Sequence, residues 1–398
     1  MLKKIQDTFK PGSMYKVFFA TLLTTGLAYG IYKGILDNYL AEIVVMSEFD
    51  RGVAEFFREL PGLLIVFILA LMYTCTAETM YKIGAVIMVA GIGLQTFVPA
   101  DRIWVTIAIC VYSLGEHIQL GMKNTMSLEY AEDDKGGVAL GLQNSMSQVG
   151  TLAGYFVVMI AFKFVSGIKA FKGFFLISAV IIAVSAILSF KLTGKSETDV
   201  TKRRFYFNRK YTKYYFLEVF YGARKQVFFT FGPYALILFY GADTATISLL
   251  FAISAISCFI AAPLVGKIID RVGYKVVMVS DTLILVVVCF FYGFAHHIFP
   301  MNVAFIVCCI NYVLDSVISL ASMASNVYVQ DISDNSEEVR ATISTGISVN
   351  HMITILIALF GGWIWQTLGI EMLFTLSAVL GLCNSAYAAS IKVRKNMV

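Results

Sequence analysis

Thr193 to Lys213 read TGKSETDVTKRRFYFNRKYTK. This polar stretch stands out in a chain of 398 residues that is 58% hydrophobic and 14% charged, with a mean hydropathy of +0.76. A soluble domain carries roughly 25% charged residues, so composition argues against a soluble globular protein. Six apolar runs lie on each side of the stretch. On the N-terminal side they span about 15–44, 51–75, 83–99, 103–125, 137–164 and 173–191. On the C-terminal side they span about 213–240, 244–265, 276–295, 301–328, 341–366 and 371–391. A membrane-spanning helix needs about 20 apolar residues, and these runs are continuous, unlike the alternating ten-residue strands of a membrane barrel. The expected fold is an all-α membrane protein of twelve transmembrane helices in two pseudo-symmetric six-helix bundles, 1–191 and 213–398, joined by a linker at 192–212.

Lysine and arginine set the orientation. With the N-terminus placed in the cytoplasm, the inner segments hold 21 of the 31 basic residues and the outer loops hold five: Arg51, Arg102, Lys163, Lys169 and Lys172. The remaining five, Lys33, Arg58, Lys123, Arg224 and Lys225, fall inside runs. That bias puts both termini and the linker inside. The first apolar run is too long for the core of a signal peptide and lacks a small-residue cleavage site. The expected location is the inner (plasma) membrane of a bacterium. The seven cysteines all fall in apolar segments and read as small core residues.

The halves also echo each other. Tyr29-Gly30-Ile31-Tyr32-Lys33 and Tyr221-Gly222-Ala223-Arg224-Lys225 share Y-G-x-x-K at a spacing of 192 residues, and at the same spacing Glu78 falls on Asp270 and Lys123 on Asp315. A parallel duplication about a central linker is a known transporter plan, with the substrate held near mid-membrane between the halves.

The connection between the eighth and ninth runs reads Gly266-Lys267-Ile268-Ile269-Asp270-Arg271-Val272-Gly273-Tyr274-Lys275. It resembles the G-x-x-x-D-R-x-G-x-K signature of the major facilitator superfamily. Together with twelve runs, the 6+6 split and the basic linker, the resemblance covers the whole chain. It implies a secondary active transporter with a cytoplasmic latch made by Gly266, Asp270, Arg271, Gly273 and Lys275. The small residue at 266 would let its helix approach a neighbour, and Asp270 would accept hydrogen bonds at a helix start and pair with a basic group. The corresponding connection of the first half, Thr74 to Lys82, lacks the glycines and the Asp-Arg pair. Only Glu78 could stand in for the acid.

Charges inside a bilayer are costly and usually face a cavity or a partner. Lys33 and Asp37 are spaced i,i+4 and share a face with Tyr29. Glu218, Tyr221 and Lys225 form a stripe on the seventh run, with Arg224 about 100° round. The first and seventh helices line the central cavity in the family resembled, so Lys33, Arg224 and Lys225 would flank it there. A guanidinium grips carboxylate or phosphate in bidentate fashion. The expected substrate-binding set is Lys33, Arg224, Lys225, Tyr29, Tyr221, Asn144 and Asn311. A carboxyl or imidazole buried in the membrane is suited to carry protons. Asp37, Glu116, Asp315, His351 and Glu218 are the candidates, and Asp281 reads as an interfacial or capping residue. Arg58 and Glu59, near a helix-kinking Pro61, would form an outer gate. The glycine pairs Gly137/Gly141 and Gly150/Gly154 suit close helix packing.

Enzyme chemistry is not expected. Gly194-Lys195-Ser196 imitates the end of a phosphate-binding loop, but position 189 is serine and no strand precedes it. No HExxH or GxSxG occurs. Basic residues do not gather on a segment that could track nucleic-acid phosphates. The expected protein is a monomeric secondary active transporter, with no cofactor or metal. It moves a small anionic organic solute by alternating access, coupled to protons or to exchange. The alternative is a multidrug or lysolipid exporter with an apolar cavity.

Overall fold

The computed structural model describes residues 7–72, 74–132, 135–193 and 207–391. Most of the expected linker, 194–206, including Gly194-Lys195-Ser196, lies outside them, as do residues 392–398. The described residues form twelve long helices. These are α1 (Tyr15–Asn38), α2 (Glu48–Leu71), α3 (Ala77–Phe97), α4 (Arg102–Tyr130), α5 (Gly136–Ala161) and α6 (Gly167–Ser189). They continue as α7 (Thr212–Tyr240), α8 (Thr244–Val272), α9 (Tyr274–Ile298), α10 (Met301–Ile332), α11 (Ser336–Leu368) and α12 (Ile370–Ala389). A π-helical turn, Tyr39–Ile43, extends α1, and a 3-10 turn, Ser319–Ser322, interrupts α10. Pro61, Pro233 and Pro263 lie inside α2, α7 and α8, which continue through them.

Local chemistry sets the ends. Asp101 caps α4 by accepting from the amides of Ile103 and Trp104 at 2.9 and 3.4 Å. Thr76 caps α3 through Thr79, and Asn335 caps α11 through Glu338. Each of these oxygens satisfies a helix amide that lacks an intrahelical partner. Gly241 ends α7 in the left-handed region, with its amide bonded to Ile237 and that of Ala242 to Leu236, a pairing that satisfies the last carbonyls. Gly273, at φ 85°, makes the break between α8 and α9.

Eight helices, α3, α4, α6 and α8–α12, are long and apolar enough to cross a membrane. The other four carry many of the polar positions nominated above: Lys33 and Asp37 in α1, Arg58 and Glu59 in α2, Asn144 in α5, and Glu218, Arg224 and Lys225 in α7.

The chain divides into two compact units, one of Met1–Val44, Phe57–Lys202 and Thr244–Leu249, the other of Val45–Phe56, Arg203–Asp243 and Leu250–Val398. Each has its own core. In the first, Phe18, Tyr81, Ile118, Met122 and Met126 pack between α1, α3 and α4. In the second, Tyr214, Leu217, Tyr274, Met278, Tyr328 and Ala388 do so between α7, α9, α10 and α12.

Glycines let α1 and α5 touch. A Cβ on Gly26 or Gly30 would strike the Ser147 or Thr151 carbonyl, and one on Gly150 or Gly154 would strike that of Leu23 or Leu27. Two small-residue stripes therefore interlock, as the spacing at 150 and 154 led one to expect. Gly137 and Gly141 differ: a Cβ there meets nothing within 4 Å.

The helix register corrects the repeat. α1 and α7 begin 197 residues apart, as do α3 and α9, and α6 and α12 begin 203 apart. The Y-G-x-x-K match at 192 is out of that register. So is the pairing of Glu78 with Asp270: Glu78 is buried in the first turn of α3, whereas Asp270 is exposed in the last turn of α8.

Candidate functional site

In the first unit, the polar face of α1 meets α2 and α4. Lys33 donates from Nζ to Asp37 Oδ2 at 2.8 Å, and the Asp37 side chain is fully buried. Beside Lys33 in sequence, the ring of Tyr32 packs 4.5 Å from that of Tyr112 in α4. Glu116, Arg58 and Tyr29 act electrostatically on both tyrosines. Arg58 pairs with Glu59, and Ser113 Oγ donates to the Arg58 carbonyl. His117 is anchored within its own helix, its Nδ1 2.8 Å from the Ser113 carbonyl. The structure thus brings together Tyr29, Lys33, Asp37, Arg58, Glu59 and Glu116, all nominated from sequence. It adds Tyr112, which the sequence signals only by lying one turn before Glu116. The hydroxyls of Tyr32 and Tyr112 are buried without a hydrogen-bond partner among the described residues. A buried hydroxyl left unpaired costs free energy, so the pair invites a polar group from outside the protein.

In the second unit the central residue is Arg224. It sits mid-way along α7 and is 2% exposed. Its guanidinium lies 5.3 Å from the Tyr221 ring centroid, and Tyr221 donates from its hydroxyl to the Ser319 carbonyl at 2.9 Å. Asp281 of α9 approaches to 3.1 Å. This is an ion pair by distance but not a directed hydrogen bond, since Nη1 and Nη2 of Arg224 both lack a hydrogen-bonded partner among the described residues. Asp281 is therefore not the interfacial or capping residue expected from sequence. It is 8% exposed and is a charge partner of Arg224. Asp315 of α10 is also buried, within the electrostatic reach of Arg224 and Lys225, and no hydrogen bond or ion pair among the described residues holds its carboxylate.

The other nominated residues have surroundings of their own. Lys225 is exposed. Glu218 accepts from Ser325 Oγ at 3.0 Å and from Asn350 Nδ2 at 3.3 Å. Asn311 Nδ2 is spent on the Val307 carbonyl of its own helix at 2.8 Å. His351 is half-buried on α11, and Asn144 is exposed on α5. Its neighbour Gln143 is buried and donates to Asn124 Oδ1 at 2.8 Å.

The signature segment differs from its expected geometry. A Cβ on Gly266 would meet nothing within 4 Å, so no close helix approach depends on that glycine. Asp270 and Arg271 are exposed and form no ion pair among the described residues, and Asp270 lies in the last turn of a helix, not the first. Gly273 is required for its positive φ. Lys275 donates to the Ile391 carbonyl at 2.8 Å, tying the start of α9 to the end of α12.

The model of the Major Facilitator Superfamily matches residues 214–396. Two solved structures of the nucleoside transporter NupG superpose with TM-scores of 0.75 and 0.74 at 15% and 16% identity. Each covers 94% of this chain, with 100% and 99% of the other chain covered. A peptide transporter POT variant in complex with sulfate superposes with a TM-score of 0.68 at 13% identity, covering 96% of each chain. No curated protein matches. The chain therefore has the fold of these transporter structures, and its second half, residues 214–396, matches the family model. With eight helices long and apolar enough to cross a membrane among the described residues, the chain is a multi-pass integral membrane protein.

Proposed function

We propose that this major facilitator chain is a proton-coupled transporter of a small organic anion, with Arg224 as the anion-binding group. The observation that carries the proposal is the buried guanidinium. Two of its nitrogens make no hydrogen bond to the described protein, while Asp281 stands 3.1 Å away. A buried charge needs a partner, and a carboxylate or phosphate can take up the two parallel donors of a guanidinium better than the off-axis Asp281 does. Asp281 then acts as the resident counter-ion that substrate replaces.

Coupling follows from charge balance. Arg224 faces two buried carboxyl groups, Asp281 and Asp315. With both ionised the group repels a further anion. A proton taken up on either frees the guanidinium, so anion and proton bind together. Movement of both across the bilayer by alternating access completes the cycle. The excess of basic residues in the linker-side segments supports a cytoplasmic position for these and both termini.

The test uses purified protein. Small carboxylates and phosphorylated solutes are screened for thermal stabilisation against hydrophobic cations and lysolipids, and the winning ligand is followed into proteoliposomes across a pH gradient. Expected is an anionic ligand whose uptake is driven by an acidic exterior, with affinity lost in Arg224→Gln. Unchanged affinity in Arg224→Gln, or stabilisation only by lysolipids or cations, overturns the assignment.

A further inference from the structure

At the end of the second unit remote from the linker, α9 finishes with His296 and His297, and Glu371 lies in the first turn of α12. None of these residues takes part in the proposed transport. The two imidazoles converge on one oxygen: His296 Nε2 lies 3.2 Å and His297 Nε2 2.9 Å from Glu371 Oε1. One ligand atom from each residue lies within 4.8 Å of the other two. Neighbouring residues on a helix point about 100° apart, yet these rings stand with centroids 3.9 Å apart. Phe239 packs 4.5 Å from the ring of His296 and fixes it from behind.

These spacings resemble the edge of a small coordination shell. Zinc–nitrogen and zinc–oxygen bonds of about 2.0–2.2 Å at tetrahedral angles set ligand atoms roughly 3.3 Å apart. Both Nε2–Oε1 separations are within half an ångström of that. Gly369, at φ 93°, leaves the carboxylate its space: a Cβ there would come within 2.7 Å of Glu371 Oε2. The His297 side chain is 59% exposed, which gives an ion direct access from solvent, while that of His296 is 11% exposed.

We propose that His296, His297 and Glu371 bind a divalent transition-metal ion of the zinc class, with water as the fourth ligand. Two imidazoles and one carboxylate suit zinc, nickel or cobalt. Magnesium and calcium prefer all-oxygen sets and are excluded by this donor set. The ion clasps the end of α9 to the start of α12. Because it binds the folded arrangement and not the separated residues, it stabilises the fold by mass action.

The experiment uses the full chain in detergent, stripped with chelator and dialysed against zinc. Expected are one bound zinc per chain, a rise in unfolding temperature with zinc but not magnesium, and a visible absorption band typical of tetrahedral coordination with cobalt. His297→Ala removes an exposed side chain, and Glu371→Gln keeps the size of the carboxylate. Each is expected to weaken zinc binding by more than the roughly 10–100-fold that loss of a mere supporting residue costs, and to abolish the cobalt band. Zinc binding retained by both variants, or a stripped wild-type protein that takes up no zinc, overturns the site. Neither result depends on Arg224 or on transport, so this proposal and the anion proposal fail separately.

Discussion

Asp281 on α9 lies 3.1 Å from Arg224 on α7, and both side chains are buried. Removing one partner of a buried pair strands the other charge, which typically costs about 3–5 kcal/mol. Arg224→Gln is therefore expected to lower the unfolding temperature in detergent substantially, by leaving Asp281 without its cation. The double variant Arg224→Gln/Asp281→Asn removes both charges and is expected to recover much of the loss. Equal destabilisation in the single and double variants would show that the two residues are not energetically coupled. Asp281→Asn alone is expected to keep anion binding while flattening its dependence on pH.

The interlocked glycines of α1 and α5 give a second expectation. Gly154→Leu drives a side chain into the Leu27 carbonyl and the Cα of Gly30, both backbone atoms that cannot step aside. Overpacking of this kind costs about 1–3 kcal/mol. Gly141→Ala on the same helix meets open space. Since alanine is the better helix former by roughly 1 kcal/mol, it is expected to be neutral or stabilising. Unfolding temperatures of the two variants check this, and a Gly141→Ala loss as large as that of Gly154→Leu would contradict the packing.

The fold was legible because apolar length and polar breaks are properties of the sequence itself. Twelve runs became twelve helices whose ends moved by a few residues. The largest shifts came where a cap lay inside a polar segment, as at Thr76, or where a helix ran on past its apolar part, as in α8 through Asp270. The site was legible in part. Lys33 and Asp37 are local, one turn apart, and pair as the spacing requires. Arg224 could be singled out as a charge in mid-span, but its partner Asp281 could not. The contact joins residues 57 positions apart on α7 and α9, and nothing in local spacing encodes which faces of two helices meet. For the same reason the spacing Gly137/Gly141 looks like Gly150/Gly154, although only the latter reaches α1. The 192-residue echo misled because five residues are too few to fix a register that drifts from 197 to 203 along the halves.

Within the second unit, the start of α2 is held by a buried polar chain. Glu55 accepts from Arg51 Nη1 at 2.8 Å and from Gln226 Nε2 at 3.0 Å, and Gln226 also donates to Thr230 Oγ1 at 2.8 Å. Gly52 permits this by letting its backbone reach Ala358 and Gly362 of α11. Glu55→Ala leaves the Arg51 guanidinium buried and is expected to cost about 3–5 kcal/mol. Glu55→Gln keeps an acceptor for Gln226 and loses only the charge, which places its cost nearer the 1.5–3 kcal/mol typical of a hydrogen bond to an ionised group. Chemical denaturation in detergent separates the two. Equal losses would mean that Glu55 serves by size and not by accepting hydrogen bonds.

Lys210, just before α7, donates from Nζ to Asp334 Oδ2 at 2.8 Å and reaches Glu338 Oε2 at 3.4 Å. The hydrogen bond to Asp334 raises the ammonium above its ordinary value, which is about 10.4 in a free chain. A group whose folded value is raised contributes fully below the unfolded value and loses its contribution as pH climbs through the folded one. Titration of Lys210 therefore cannot loosen this contact anywhere in the neutral range, and only strongly alkaline conditions can. The Asp334 side chain is 73% exposed, so the pair is screened by salt and is worth no more than about 1 kcal/mol. Lys210→Met is expected to shift the unfolding temperature by less than roughly 2–4 °C, and high salt is expected to erase even that difference. A salt-resistant loss beyond that range would mean that the packing of Tyr211 and its hydroxyl contact with Ser333, at 2.8 Å, depend on the lysine stem and not on its charge.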